Sequence, residues 1–250
     1  MADHRRSSLR TAVVWESLQA ALDHHRADVV GGRRLDVLDL GGGTGGFAVK
    51  VAASGHAVTV VDPSPDALAS LSRRAAEAGV SDRIRGVQGD AADLLDVVHP
   101  GSADVVLCHG VLEVVDDPEE AVGAAVACLR SAGRISVLVA QRHAAVLARA
   151  LAGHLADARA LLRDPDGRWG SADPVPRRFT EPEVTTLLEV GGCTVDVVHG
   201  ARVFTDIVPG PLVDTDPGAV EALQHLEAEV SDRPEFRAIA TQLHVVGTKR

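Results

Sequence analysis

The chain has 250 residues, of which 46% are hydrophobic and only 2% aromatic, and its formal charge is −10. This length fits one α/β domain over residues 1–250, with a core of Val, Leu and Ala. The acidic balance argues against general affinity for nucleic acid or anionic membranes, while leaving room for a local basic patch.

Cysteine and histidine usage narrows the class of protein further. The three cysteines are scattered and form no C-x-x-C pair, which indicates small core residues in a protein of the reducing cytoplasm. The histidines lack the paired spacing that zinc needs, so no metal is expected. No apolar run is long enough to span a bilayer, so no membrane partner is expected either.

The predicted elements begin with an amphipathic helix at Leu9–His24, within an N-terminal helical cap of residues 1–30. The stretch Leu35–Ala53 then reads as a buried strand, a glycine turn and a helix. Further strands are predicted at Ala57–Val61, Ile84–Val87, Ser102–Cys108, Ile135–Ala140, Cys193–His199 and Leu243–Thr248. Alternating strands and helices predict an α/β fold, a Rossmann-like and mostly parallel sheet with helices on both faces.

Three helix starts carry clear capping signals. Ser64-Pro65 opens a helix towards Glu77, Asp117-Pro118 opens one towards Leu129, and Thr180 with Glu183 forms a capping box. Between the last two lies the most basic segment, residues 141–178, with a helix predicted at Arg142–Leu162 followed by a loop rich in Pro, Gly and Asp. We expect a small helical lid that carries substrate contacts, and a solvated helix face with a loop fits equally well.

The glycine turn satisfies two motifs at once. Gly41, Gly43 and Gly46 fit the dinucleotide pattern G-x-G-x-x-G, which is weak evidence alone. Asp39, Gly41, Gly43 and Gly45 fit D-x-G-x-G-x-G. A carboxylate at the strand end suits a cationic ligand and is poorly placed against a pyrophosphate. A turn that only packs helix on strand is a weaker explanation of five glycines in six positions.

Polar side chains are expected at the ends of the next strands. Asp62 ends the second strand about 20 residues after the turn, where ribose hydroxyls are held, or it is simply a turn residue before proline. The segment around Asp90 follows the third strand, where a polar group reaches an adenine edge. His109 ends the fourth strand and faces the crevice, although a lone histidine is usually structural. By periodicity alone Arg10 is a solvated charge.

Four segments together resemble the class I S-adenosylmethionine (SAM) methyltransferases: LDLGGGTGG, the acid at Asp62, GDAAD, and HGVLEVVDDPEEAVGAAVACLRSAGRISVLV. That family has a seven-stranded sheet whose last strand is antiparallel. A narrower resemblance, to the tRNA carboxymethoxyuridine methyltransferases, rests on LRTAVVWESL, GVSD, GARVFTD, EALQHLEAEVSDRPEF and LHV. Those enzymes convert a carboxymethoxy group on the wobble uridine to its methyl ester.

The resemblance implies roles for particular residues. The cofactor-binding residues expected are Arg10, Asp39, Gly41, Gly42, Gly43, Asp62, Asp90, Ala91, Ala92 and His109. Arg10 would pair with the methionine carboxylate of SAM. The substrate-side candidates are Arg142 and Arg202, and Arg202 serves equally well as a structural residue. The lid run LRDPDGRWGSADP, with Gln141 and Arg142 after the fifth strand, departs from the subfamily.

These observations predict a SAM-dependent methyltransferase whose acceptor is a carboxylate, either carboxymethoxyuridine in tRNA or a small carboxylic acid. A carboxylate is ionised near neutral pH, so no general base is assigned. The alternatives are a methyltransferase with another small acceptor, a SAM-binding protein without activity, and a dinucleotide-dependent oxidoreductase. The last fits less well, because the chain has no tyrosine to act as a short-chain dehydrogenase base.

Overall fold

The computed structural model describes the backbone of residues 2–28, 32–215 and 218–250, and the side chains of residues 11–27, 32–213 and 218–250. Seven strands form one sheet in the order β3-β2-β1-β4-β5-β7-β6. The strands are β1 (Asp36–Leu40), β2 (Ala57–Asp62), β3 (Ile84–Gln88), β4 (Ala103–His109), β5 (Leu129–Ala140), β6 (Cys193–Ala201) and β7 (Gln242–Lys249). The helices described are α1 (Ala2–Asp28), α2 (Ala48–Ala53), α3 (Pro65–Glu77), α4 (Leu94–Val97), α5 (Pro118–Cys128), α6 (Arg142–Leu151), α7 (Leu155–Arg163), α8 (Glu181–Val190), α9 (Gly210–Thr215), α10 (Ala219–Val230) and α11 (Pro234–Arg237).

Strand directions confirm the predicted sheet. The pairs β1–β2, β1–β4 and β2–β3 are all parallel, with Leu38 opposite both Thr59 and Val106. β7 runs antiparallel to β5. At one end Gln141 N donates to Thr241 O at 3.0 Å, and at the other Lys249 Nζ donates to Leu129 O at 2.7 Å. The parallel strands therefore bring their carboxyl ends to one edge.

Side-chain hydrogen bonds are present at two of the predicted helix starts. Ser64 Oγ accepts the Ala67 N–H at 3.2 Å, and Pro65 occupies the first turn of α3. One oxygen of Asp117 accepts the N–H groups of Glu119 and Glu120 at 2.9 and 3.1 Å. These bonds satisfy donors that a helix start leaves open, so the predicted caps at Ser64 and Asp117 are confirmed.

The single helix predicted at Arg142–Leu162 is wrong, because α6 and α7 are separated by a turn. Gly153 takes a left-handed conformation (φ 80) and donates to Ala150 O. His154 N donates to Arg149 O at 2.9 Å, which completes a glycine-type helix end. The periodicity continues through this break, and for that reason the pattern alone does not reveal it.

β5 also differs from its prediction of Ile135–Ala140, since it begins six residues earlier, at Leu129. Within the added part, Ala132 has φ 58, which is uncommon for a residue with a side chain. The polar SAGR stretch favours a turn by its residue types, but in the structure these residues form part of β5 in the sheet.

The chain separates into two compact units. The cleft unit comprises Gln19–Val137, Thr185–Asp196 and Val246–Arg250, and the second unit comprises Met1–Leu18, Leu138–Val184 and Val197–Val245. The assignments of residues 1–30 as a cap and of residues 141–178 as a lid stay predictions.

An ion-pair network anchors the start of β4 in the cleft unit. Asp104 is only 2% exposed, accepts hydrogen bonds from Arg33 at 2.9 and 2.6 Å and from the Asp36 N–H at 2.8 Å, and forms an ion pair with Arg130 at 2.7 Å. Burial opposes ionisation, but these donors together hold the pKa of Asp104 below its usual value. Asp104 is thus a fully engaged carboxylate remote in sequence from the glycine turn.

The cysteines lie in the core, as predicted. Cys108, Cys128 and Cys193 are all buried free thiols, and burial raises the pKa of each, to about 11 for Cys128. Among the described residues no helix combines the length and apolar character needed to cross a membrane.

Candidate functional site

The glycine turn links β1 to α2 through three left-handed residues. Gly41, Gly43 and Gly45 have φ values of 65°, 55° and 84°, and the Gly41 N–H donates to Val61 O at 2.7 Å. A Cβ on Gly41 would lie 2.5 Å from Val111 Cγ2, whereas one on Gly46 would meet nothing within 4 Å. The positions whose backbone requires glycine are therefore those of the D-x-G-x-G-x-G motif. Gly46, the third glycine of the dinucleotide pattern, has room for a side chain.

Asp39 lies beneath the turn. A Cβ on Gly42 would lie 2.5 Å from Asp39 Oδ2, so the carboxylate packs directly against the turn backbone. Burial, reinforced by the charge of Asp62, raises the pKa of Asp39 to about 7. A cation placed nearby would stabilise the ionised form and lower that pKa again.

Asp62 fastens the turn to the end of β2. Its Oδ2 accepts the Gly43 N–H and its Oδ1 accepts the Ser64 N–H, both at 2.9 Å, and the residue is 7% exposed. Each carboxylate oxygen has a second lone pair that can accept a hydroxyl donor. This placement fits the predicted contact with ribose.

A cleft of about 450 Å³ opens beside the turn. Its lining includes the predicted residues Gly41, Asp62, Asp90, Ala91 and Ala92. Asp39, Gly42, Gly43 and His109, also predicted, are not among the lining residues. The volume is within the range of small-molecule sites.

Another part of the cleft lining comes from the loop after β4 and the start of α5, which the site prediction missed. It contains Gly110, Val111, Val114, Val115, Asp116, Asp117, Glu120 and Ala121. The signal was present in the run VLEVVDDPEE, because it directly follows a strand that ends at the carboxyl edge.

Charge in the cleft has one sign. Its lining carries five carboxylates, at Asp62, Asp90, Asp116, Asp117 and Glu120, and no lysine or arginine from the part of the chain that the structure describes. Such a surface attracts a cationic ligand and repels a pyrophosphate. The donor set, the volume and the glycine turn therefore fit a nucleoside that carries a positive charge.

His109 is held at the end of β4. Its Nε2 lies 2.9 Å from Ser136 Oγ, and the Phe47 ring meets the imidazole edge-on with centroids 4.8 Å apart. Burial lowers the pKa of His109 to about 3, so the ring is neutral at physiological pH. A neutral imidazole of such low basicity can orient a ligand and is a poor proton acceptor.

The remaining candidates lie elsewhere. The side chain of Arg10 is outside the described residues. In the second unit, Arg142 pairs with Glu183 at 3.1 Å and donates to Pro165 O, and Arg202 pairs with Asp206 at 2.6 Å. Both arginines thus have partners within the protein. No cluster of His, Cys, Asp and Glu suited to a metal occurs among the described residues.

Comparisons with known proteins agree with this geometry. A family model described as a methyltransferase domain matches residues 38–137. The chain is 29% identical over 244 residues to tRNA 5-carboxymethoxyuridine methyltransferase of Escherichia coli O157:H7, covering 98% of this chain and 89% of that protein. It is 32% identical over 178 residues to ubiquinone biosynthesis O-methyltransferase of Xanthomonas euvesicatoria pv. vesicatoria (strain 85-10), covering 70% and 68%.

Among solved structures, a putative sarcosine dimethylglycine methyltransferase from Galdieria sulphuraria superimposes with a TM-score of 0.63 at 15% identity. The match covers 98% of this chain and 87% of the other, and it indicates a shared fold.

Proposed function

The chain belongs to the class I S-adenosylmethionine-dependent methyltransferases, and we propose that its acceptor is a carboxylate, that of 5-carboxymethoxyuridine in tRNA. The observation that carries the acceptor is the similarity to the Escherichia coli enzyme, which extends over 98% of this chain. A tRNA acceptor implies a cytoplasmic location, which is part of the proposal.

The cofactor is SAM, and when bound it supplies an electrophilic methyl group on a sulfonium. In the proposed assignment Asp62 holds the ribose hydroxyls, Asp90 and Ala91 reach the adenine, and Asp39 favours the positive charge of the methionine part. Gly41, Gly42 and Gly43 let the backbone approach the ligand, and Arg10 pairs with its carboxylate.

Proton transfer has no part in this reaction. An acceptor carboxylate is already ionised at neutral pH, so the protein needs to align it and does not need to deprotonate it. The low pKa of His109, about 3, is consistent with this, because the ring is too weak a base to activate a hydroxyl efficiently. We assign the acceptor carboxylate to Arg202, with Arg142 as a second candidate.

The test uses purified protein, methyl-labelled SAM and tRNA from cells that make carboxymethoxyuridine but lack its methyltransferase. A methyl ester is hydrolysed by mild base, whereas a methyl ether or N-methyl group is stable. Base-labile label in the tRNA supports the proposal. Base-stable label in the tRNA contradicts the carboxylate acceptor, and the absence of label in the tRNA contradicts the tRNA acceptor.

A small-molecule acceptor is the second candidate, favoured by the 32% identity to a ubiquinone biosynthesis O-methyltransferase. Label appearing in small phenols or carboxylic acids, and none in tRNA, would support it. An acceptor hydroxyl would then require a base other than His109.

A further inference from the structure

Arg202 has an unfavourable backbone conformation, which contacts with neighbouring residues must stabilise. It directly follows β6 with φ 62, in the left-handed region that residues with side chains seldom occupy. Its carbonyl oxygen accepts the Thr241 N–H at 3.4 Å and the Thr241 hydroxyl at 3.0 Å. The peptide on one side of the strained residue is therefore fixed.

Glu227 fixes the other side. This residue of α10 is only 2% exposed, and its carboxylate accepts four bonds: from the N–H groups of Val203, Phe204 and Thr205 at 2.9, 2.9 and 2.7 Å, and from Thr205 Oγ1 at 2.7 Å. Hydrogen bonds to an ionised acceptor are about twice as strong as neutral ones. One buried carboxylate thus clamps three consecutive peptide groups.

The clamped residues lie between the two members of an ion pair. Arg202 Nη2 lies 2.6 Å from Asp206 Oδ2, and Arg202 Nη1 donates to Gln242 Oε1 at 3.4 Å. The guanidinium side chain keeps 23% of its exposure. Its buried Nε has no hydrogen-bond partner within the described chain. Arg202 therefore has donors left for a further carboxylate, and the clamp determines where they are held.

We propose that Glu227 is a positioning residue for acceptor recognition, since its grip on residues 203–205 fixes the guanidinium of Arg202 for the acceptor carboxylate. This inference rests on the proposed function, because it takes Arg202 as the group that meets the acceptor. Glu227 itself is buried and acts through the loop, not through contact with the acceptor.

The substitution Glu227→Gln tests the clamp with little change in shape. Glutamine keeps one acceptor oxygen and turns an NH₂ group towards N–H donors, so at least one of the four bonds is lost, because Oε2 accepts only the Val203 N–H and Oε1 accepts the other three. We expect the KM for carboxymethoxyuridine tRNA to rise about tenfold. We expect kcat and the Kd for S-adenosylhomocysteine (SAH) to change by less than about threefold. Hydrogen exchange at the amides of residues 203–205 should become faster.

Asp104→Asn is the matched control, because Asp104 is equally buried and equally engaged but belongs to the cleft unit. It should lower stability and leave the KM for tRNA unchanged. If Glu227→Gln does not fold, Thr205→Val removes one hydroxyl donor of the clamp and should raise the KM about two- to fivefold.

The outcomes separate the inference from the function. Faster exchange at 203–205 with an unchanged KM overturns the positioning role and leaves the methyltransferase proposal intact. A rise in KM matched by the Asp104→Asn control also overturns it, since general loosening then explains both. Failure of the wild-type protein to methylate the tRNA overturns the proposed function itself, and with it the acceptor role of Arg202.

Discussion

The cleft unit and the second unit use charged side chains in opposite ways. In the cleft, carboxylates such as Asp62 bond to backbone N–H groups, and the described lining has no basic side chain to neutralise them. In the second unit, arginines such as Arg178 and Arg202 are each matched to an aspartate, at 2.7 and 2.6 Å. The first arrangement presents uncompensated negative charge to a ligand, whereas the second keeps its positive charge compensated until something competes for it.

The largest effect expected from this comparison concerns Asp62. Asp62→Ala removes the acceptor for the Gly43 and Ser64 N–H groups and the proposed contact with ribose. Hydrogen bonds to charged groups contribute about 1.5–3 kcal/mol, so the Kd for SAH measured by calorimetry should rise about 10- to 100-fold. Asp66→Ala, an exposed carboxylate in the first turn of α3, is the control. A Kd within twofold of wild type for Asp62→Ala would remove Asp62 from the site.

The glycine turn offers a second comparison within one loop. Gly41→Ala forces a Cβ to within 2.5 Å of Val111 Cγ2 at a φ of 65°, so urea denaturation should show a loss of about 1–3 kcal/mol in unfolding free energy. Gly46→Ala, where a Cβ meets nothing within 4 Å, should change it by less than about 0.5 kcal/mol. Equal losses would mean that Gly41 is no more demanding a position than Gly46.

The raised pKa of Asp39 predicts that the stability of the folded protein depends on pH. The pKa of Asp39 is about 7 in the folded chain and ordinarily 3.8, so between these values the folded protein holds a proton that the unfolded chain has released. Stability from this group is therefore lost as pH rises from about 4 to 7. Without ligand, Asp39→Asn should raise Tm at pH 8 relative to wild type by at least about 2–4 °C, and by less at pH 5.

Asp66→Asn, at an exposed position of α3, is the control for that measurement. If the difference in Tm between Asp39→Asn and wild type is the same at both pH values, Asp39 does not titrate in this range.

The smallest effect is expected at the ion pair of Arg202 with Asp206 in the second unit. Asp206 competes with the acceptor for Arg202 in a partly exposed pair, and such pairs contribute about 0.2–1 kcal/mol. Asp206→Asn should therefore lower the KM for carboxymethoxyuridine tRNA by about two- to fivefold, as measured by initial rates. A higher KM would mean that Asp206 supports acceptor binding.

The sequence predicts the cleft better than the loop of residues 202–206 for a physical reason. Left-handed turns and helix caps depend on residue type within a few positions, so Gly41, Ser64 and Asp117 are readable locally. The sheet follows from apolar runs, and the antiparallel β7 from family resemblance.

Glu227 shows why some contacts could not be predicted from the sequence. In EALQHLEAEV it resembles any acid on an amphipathic helix, and its partners Val203–Thr205 are 22–24 positions away. Such pairings depend on tertiary packing, which periodicity does not encode. The break at Gly153 was hidden similarly, because helical periodicity continues on both sides.

The positions of the three cysteines allow local unfolding of the cleft unit to be followed through the reactivity of their thiols. Cys108, Cys128 and Cys193 are the three thiols of the sequence, and all belong to the cleft unit. Buried thiols with raised pKa react slowly with alkylating reagents until the segment around them opens. Alkylation rates followed by mass spectrometry therefore record unfolding of the cofactor-binding half selectively. Binding of SAH should slow alkylation, and loosening confined to residues 202–206 should leave the rates unchanged.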